Sequence, residues 1–458
     1  MQIGIVGLGT MGRALAENLL DNGVRVSGWN LETPAVEALA RARREFEPAA
    51  NLASLLQTLE TPRAVLLMVP AGDAVDSILE QLATGLDDGD VVIDAGNSHY
   101  LDTERRAARL EAAGVQYVGL GVSGGEAGAR HGPSMMFGGS LAAWTRLNEP
   151  LTRIAATSAF GACVNRVGPA PAGHFVKMLH NGIEYADMQL IAEAYDLMLR
   201  GRQMAPRRIA QQFAAWNSGP LQSFLVELTA QVLQHEDADT GNSLVSQILD
   251  KAGQKGTGRW SVDAALTLGV PAPTIGAAVD ARLLSAQKAV RQQHAASYPP
   301  IPVALEVTDE ELESALLCAK LFAYAQGFAL LQEASRAFDW SLDLAEIARV
   351  WTGGCIIRAA LLAPIRDFYA AAPPTADLMR ADFAKAVVAE RASALRKVTA
   401  LAQQSGLPVP ALSASLAWFD GLRSATLPQN LIQAQRDAFG NHGFAHITSP
   451  DTTRHYDW

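Results

Sequence analysis

Residues 2–29 read QIGIVGLGTMGRALAENLLDNGVRVSGW, and this stretch decides the fold of the first third of the chain. An apolar run over 2–6 enters Gly7-Leu8-Gly9-Thr10-Met11-Gly12. A helical pattern follows over 13–20, and after the Asn22-Gly23 turn a strand-like run covers 24–29. GxGxxG alone is weak evidence, because glycine-rich turns are common. Between a strand and a helix at the head of a βαβ unit, it signals a dinucleotide site. Gly7 permits the tight turn, Gly9 the close approach of a pyrophosphate, and Gly12 the packing of helix on strand. Thr10 and Met11 lie in the turn that leads into the helix, whose N-terminal free N–H groups and positive dipole end suit phosphates.

Working outward, strand-like runs recur at 64–69, 91–94, 116–119 and 163–167, with helical patterns between several of them, as at 74–82 and 102–113. The alternation predicts a mostly parallel, doubly wound sheet. Ligand-binding loops then belong at the carboxyl ends of the strands. Three stretches fall there: Val69-Pro70-Ala71-Gly72, Asp94-Ala95-Gly96-Asn97-Ser98 and Gly121-Val122-Ser123-Gly124-Gly125.

After this region comes GHFVKMLHNGIEY, residues 173–185. Read as a helix, Phe175, Val176, Leu179, Ile183 and Ala186 form one apolar stripe. Lys177, His180, Asn181 and Glu184 then lie along a second common face. A lysine and a glutamate two turns apart, with two polar residues between them, suit a row aimed at a ligand. Charge at this spacing equally suits a solvated helix face. From here on no strand is predicted; helices are expected over 183–198, 221–234, 262–268, 277–291, 310–338, 344–350, 381–403 and 407–424. Pro299, Pro300 and Pro302 mark 298–303 as a connection.

Of 458 residues, 49% are hydrophobic and 18% charged, which predicts a globular chain of more than one domain. The net charge of −10 offers no basic field for nucleic acid or an anionic membrane, so an anionic substrate needs a local cluster of cations. Cys163, Cys318 and Cys355 lie far apart without metal-ligand spacing, and read as core residues in a reducing compartment. The strand-like start and the lack of a run of about 18 apolar residues predict neither signal peptide nor membrane span, hence a cytoplasmic protein.

Five segments then stand together: GDVVIDAGNSHYLDTERR, GVSGGEAGARHGPSMM, AGHFVKMLHNGIEYADMQLI, DKAGQKGTGRW and NLIQAQRDAFGNHG. In sequence and order they resemble the signature segments of the decarboxylating 6-phosphogluconate dehydrogenase family, over essentially the whole chain. The resemblance implies a Rossmann-type dinucleotide-binding domain over 1–172, an all-helical substrate and dimerisation domain over 173–430, and a tail over 431–458 that reaches a partner subunit. It implies oxidation and decarboxylation of 6-phosphogluconate to ribulose 5-phosphate with NADP or NAD, and no metal. Lys177 matches the family's base and Glu184 its acid; His180 and Asn181 hold the substrate between them. Asn97, Ser123, Gly124 and Gly125 match loops that contact substrate and nicotinamide, and Asn97 and Val69 fall on the cofactor side. Tyr185, Lys255, Thr257 and Arg282 match phosphate contacts, and Arg436 and His442 those supplied by the partner's tail. Residues 254–259, QKGTGR, also read unaided as a basic, glycine-rich anion loop.

One departure bears on the coenzyme. NADP-dependent members of the family carry Asn-Arg-Thr after the second strand; here the string is Trp29-Asn30-Leu31-Glu32-Thr33. Leu31 replaces the arginine, and Glu32 lies where an acid binds a free ribose 2′-hydroxyl and repels a 2′-phosphate. Asn30 and Glu32 therefore join the cofactor set, with NAD preference or dual use expected. The alternative leaves Glu32 facing water and another cation, such as Arg13, on the phosphate. The competing functions are another 3-hydroxyacid dehydrogenase, or a non-catalytic sensor of nucleotide or sugar phosphate. Lys177 and Glu184 weigh against the sensor, which needs neither.

Overall fold

The computed structural model describes residues 1–458 apart from 255, 299, 300, 302, 303 and 374. Its first part is built on one eight-stranded sheet. The strands are β1 (Gln2–Val6), β2 (Arg25–Trp29), β3 (Glu47–Pro48), β4 (Ala64–Leu67), β5 (Val91–Asp94), β6 (Gln116–Ser123), β7 (Ser134–Gly138) and β10 (Val164–Gly168). A two-stranded hairpin, β8 (Thr157–Ser158) with β9 (Gly161–Ala162), precedes the last. Across the sheet the order is β10-β7-β6-β5-β4-β1-β2-β3, and only β6 and β7 pair antiparallel. The chain winds outward from β1 in both directions, so the crevice at the carboxyl ends of β1 and β4 is the topological switch point.

Every residue of β1, β4, β5 and β7 is buried. Side chains alternate between two cores: Ile3 and Ile5 pack with Leu15 and Leu19 on one face, while Val65 and Leu67 pack with Leu55 and Leu79 on the other. The expected sheet is thus present. It gains two strands that the sequence reading missed, β3 and β7.

Two residues after β10 the chain enters the 27-residue site helix (Ala170–Asp196). It packs against the central helix (Asp309–Ala337), which begins in a capping box of Thr308 with Glu311. A Cβ on Gly327 would lie 2.5 Å from Ile183 Cδ1, so glycine sets how closely these two helices approach. One core spans both helices and most of those that follow. The central helix is long and apolar enough to cross a membrane by length and composition, yet 89% of its most apolar window is buried inside the protein.

Three expectations need correction. The single helix expected over 277–291 is two, Pro273–Ala286 and Lys288–Ser297, broken at Gln287. The expectation of no strand beyond residue 173 fails at the tail, where β11 (Phe444–His446) pairs antiparallel with β12 (Ser449–Arg454). The tail is also more ordered than its polar composition suggests. Its helix, Gln429–Gly440, presents Asp437, whose carboxylate accepts from the backbone N–H of Gly443 (2.9 Å) and Tyr456 (3.0 Å) and from Trp458 Nε1 (2.9 Å). The proline connection expected over 298–303 falls mostly outside the described residues.

Candidate active site

Glycines bring the site helix into backbone contact with the sheet. A Cβ on Gly173 would lie 1.9 Å from Gly119 O, and one on Gly138 2.5 Å from Ala170 O. On Gly121 it would lie 2.5 Å from Lys177 Cβ. The helix therefore seats Lys177 directly against β6, whose last residue is Ser123.

The helix is not amphipathic in its setting. Lys177, at 6% exposure, His180 and Asn181 are all buried, and Glu184 is half-buried. The solvated-face alternative is therefore excluded for this row. His180 is its hub: Nε2 lies 3.1 Å from Ser123 Oγ, and Nδ1 lies 3.2 Å from Asn181 Oδ1, 3.4 Å from Lys177 Nζ and 3.7 Å from Glu184 Oε2. Trp351 closes the ring's far side edge-on, at 5.8 Å between centroids.

Burial governs the charge states. Loss of water pulls the Lys177 amine below the ordinary lysine range, against the attraction of Glu184. It pushes the Glu184 carboxyl up, against Lys177 and Arg282. His180 is driven well below its usual value by burial and by Lys177. Each member of the pair is thus biased towards its neutral form, the amine able to take a proton and the carboxylic acid able to give one.

A cationic wall adjoins this row. The Arg282 guanidinium lies over the Tyr185 ring at 3.5 Å, and its Nη1 donates to Gly253 O at 3.0 Å. No carboxylate among the described residues lies within ion-pair distance of it. A Cβ on Gly258 would meet the Tyr185 ring at 2.4 Å, so Gly258 lets the loop close on that ring. Thr257 is buried and opens the helix Thr257–Leu268 directly after Gly256, whose φ of 97° favours glycine. Lys255 lies outside the described residues.

The dinucleotide crevice fits its expected ligand. Gly7 has φ 97°, and a Cβ on Gly12 would collide with Gly7 O at 1.9 Å. A Cβ on Gly9 would meet nothing within 4 Å, the open space a pyrophosphate needs. Asn30 Oδ1 accepts from Leu8 N at 2.8 Å, and Asn30 Nδ2 donates to Glu32 Oε2 at 3.0 Å. A cavity of about 580 Å³ lies beyond, lined by Met11, Val69 and Asn97 as expected. His99 and Trp260 also line it, edge to face at 4.9 Å, and the sequence reading missed both. Trp260 had a signal: an aromatic immediately after the basic glycine loop.

Arg436 and His442 stand apart. Arg436 Nη1 donates to Gln433 Oε1 at 3.1 Å, and His442 meets Phe439 edge-on. Among the described residues no hydrogen bond or ion pair joins either to Lys177, Glu184, Tyr185 or Arg282.

The sequence and architecture match known proteins. The model of the NAD binding domain of 6-phosphogluconate dehydrogenase matches residues 2–168, and that of the enzyme's C-terminal domain residues 173–458. The decarboxylating 6-phosphogluconate dehydrogenase of Synechococcus elongatus is 47% identical, over 100% of this chain and 99% of that one. An NADP(+)-dependent, decarboxylating counterpart from Bacillus subtilis is 42% identical over the same shares. The Plasmodium falciparum 6-phosphogluconate dehydrogenase, solved in apo form and in complexes with its cofactor NADP+ and its substrate 6-phosphogluconate, superposes with a TM-score of 0.96 at 38% identity, over 100% of both chains. The chain belongs to the 6-phosphogluconate dehydrogenase family.

Proposed function

We infer that this chain catalyses the oxidative decarboxylation of 6-phosphogluconate to ribulose 5-phosphate and CO₂ with reduction of a nicotinamide dinucleotide. The observation that carries the reading is the buried Lys177–Glu184 pair on one helix face, beside a cationic wall and a dinucleotide crevice. The bound dinucleotide supplies the hydride acceptor. Gly7, Gly9, Thr10, Met11 and Gly12 hold its phosphates, with Asn30, Glu32, Val69 and Asn97 along its length.

Lys177, neutral, takes the proton of the substrate's C3 hydroxyl as hydride leaves carbon. The same amine, now protonated, polarises the carbonyl of the β-keto acid while CO₂ departs. Glu184 then protonates the enediol on carbon. His180 and Asn181 hold hydroxyls and developing charge, and Asn97, Ser123, Gly124 and Gly125 bound the reacting end. Tyr185, Lys255, Thr257 and Arg282 take the phosphate, completed by Arg436 of the partner subunit and His442 of the partner subunit. The tail's exposed apolar residues, among them Leu431, Ile432 and Phe439, support a homodimer, because groups of such residues mark contact surfaces. The chain then divides into a dinucleotide-binding domain over 1–172, a helical domain over 173–430 and a tail over 431–458, and works in the cytoplasm.

The coenzyme reading favours NAD or dual use. Leu31, at the position where the resemblance leads one to expect arginine, is 81% exposed, and Arg13 is already paired with Glu17 at 3.0 Å. Incubation with 6-phosphogluconate and each coenzyme, following reduced nicotinamide and CO₂, tests the whole reading. Reduction without CO₂, or only with shorter 3-hydroxyacids, indicates another dehydrogenase; binding without turnover indicates a sensor.

A further inference from the structure

His174 lies one helical turn before Lys177, against the same strand β6, and is buried. Its Nε2 lies 3.0 Å from the backbone oxygen of Asp94, the residue that opens the loop carrying Asn97, and its Nδ1 lies 2.6 Å from Thr103 Oγ1. A carbonyl oxygen can only accept, so Nε2 carries the hydrogen; in a neutral ring Nδ1 then accepts from the threonine hydroxyl, whose other partner, His99 O, is farther at 3.2 Å. Burial holds the ring below the usual histidine range, and so neutral, as that pattern requires.

The loop it reaches is fixed from within. The Asp94 carboxylate accepts from Gly96 N (3.1 Å), Ser98 Oγ (2.6 Å) and Tyr117 OH (2.9 Å). Arg106 extends the network, with Nη1 donating to Ser98 Oγ (3.3 Å) and Nη2 to Gly72 O (3.0 Å) on the neighbouring loop of the dinucleotide crevice. His174, Asp94, Ser98, Thr103, Arg106 and Tyr117 are all buried. Two crevice loops and the helix bearing Lys177 are therefore cross-connected by polar contacts that are buried except at the partly exposed Gly72.

We propose that His174 is a positioning residue that sets the spacing between the Lys177 amine and the Asn97 loop, by tying the site helix to the Asp94 carbonyl and the Thr103 hydroxyl. The proposal rests on Lys177 being the base and on the Asn97 loop meeting substrate and nicotinamide. A base held a fraction of an ångström out of line loses rate without losing ligand.

The test uses the full-length protein with His174→Leu, His174→Gln and Thr103→Val, and 6-phosphogluconate carrying deuterium at C3. For His174→Leu we expect kcat to fall about ten- to hundredfold, with KM and the dinucleotide dissociation constant little changed. The primary isotope effect should rise as hydride transfer becomes limiting. His174→Gln, which keeps a donor for the Asp94 carbonyl, should recover part of the rate, and Thr103→Val should lose less than His174→Leu. Nitrogen-15 spectra should show His174 as the neutral Nε2–H tautomer; an imidazolium or an Nδ1–H ring overturns the assignment. A lowered Tm with unchanged kcat and isotope effect reduces His174 to a packing residue and overturns the proposal. Should His174→Leu fail to fold, the other two variants decide, and wild-type hydride transfer in both overturns it. Lys177→Ala, assayed in parallel, separates the claims: its normal turnover sinks both, whereas its inactivity alongside wild-type hydride transfer in the His174 variants sinks only this one.

Discussion

The site helix and the tail helix bear the two halves of the proposed site in opposite surroundings. On the site helix Lys177, His180 and Asn181 are withdrawn from water and most apolar side chains are packed within the chain. On the tail helix only Asp437 is buried, while Leu431, Ile432 and Phe439 face solvent, the last at 76% exposure. On the first helix burial pulls the amine down and pushes the carboxyl up, biasing both towards their neutral forms. The second leaves large apolar side chains in solvent, the kind of patch that marks a contact surface.

The most direct way to break this contrast is Lys177→Ala. Turnover should fall by at least the 10²- to 10⁴-fold expected of a lost general base, with dinucleotide affinity intact by fluorescence titration. Near-wild-type turnover would remove Lys177 from the mechanism. Glu184→Gln should slow the final protonation by a comparable factor. That loss is best read as a changed solvent isotope effect.

The tail half is sharpened by mixing. Arg436→Ala should weaken substrate binding by about ten- to hundredfold, the scale of a lost charged contact. Exchanged with Lys177→Ala subunits, it should regain activity at low substrate, because each heterodimer holds one site with both native residues. No recovery after verified exchange would mean that each tail serves its own chain.

The coenzyme end gives a smaller effect. kcat/KM should be higher for NAD than for NADP, since a 2′-phosphate would meet Glu32 without a cation at position 31. A cost of about 1–3 kcal/mol corresponds to roughly ten- to hundredfold. Leu31→Arg with Glu32→Thr should reverse the order in steady-state kinetics. A strong NADP preference in the unmodified protein would count against this reading.

The smallest effect sits further along the site helix. Burial pushes the Glu193 carboxyl up to about 7 from an ordinary 4.5, although it accepts from Ala411 N (2.8 Å) and Leu412 N (2.9 Å). Its folded-state value is raised, so the folded protein binds this proton more tightly than the unfolded chain. The contribution to stability is complete below about pH 4.5 and is lost as pH rises through about 7. Denaturant titrations at pH 5 and pH 8 should show Glu193→Gln gaining on the native protein at the higher pH. A constant difference would argue against the raised value.

The helix bearing Lys177 and the glycine turn were legible because their signals are local: a period of about 3.6 residues in one case, a motif between strand and helix in the other; the period alone left a solvated face open. What escaped was either short or distant. β7 is five buried residues, SMMFG, directly behind a glycine-rich loop, and reads as that loop's continuation. The contacts of His174 span 71 and 80 residues, so no periodicity announces them. The tail's order hangs on one carboxylate, Asp437, whose partners lie up to 21 residues away in a polar stretch.

The glycine contacts between the site helix and the sheet carry a consequence for how such a chain can change. Gly119, Gly121, Gly138 and Gly173 form a seam with no room for a side chain, which leaves no slack for the helix to slide. The seam is anchored on β6 and β7, whereas the residues proposed to choose the coenzyme follow β2. Four strand spacings separate β6 from β2, roughly 19 Å at the usual separation. A substitution at Leu31 or Glu32 therefore leaves the contacts of this seam untouched, and the helix keeps its register on the sheet.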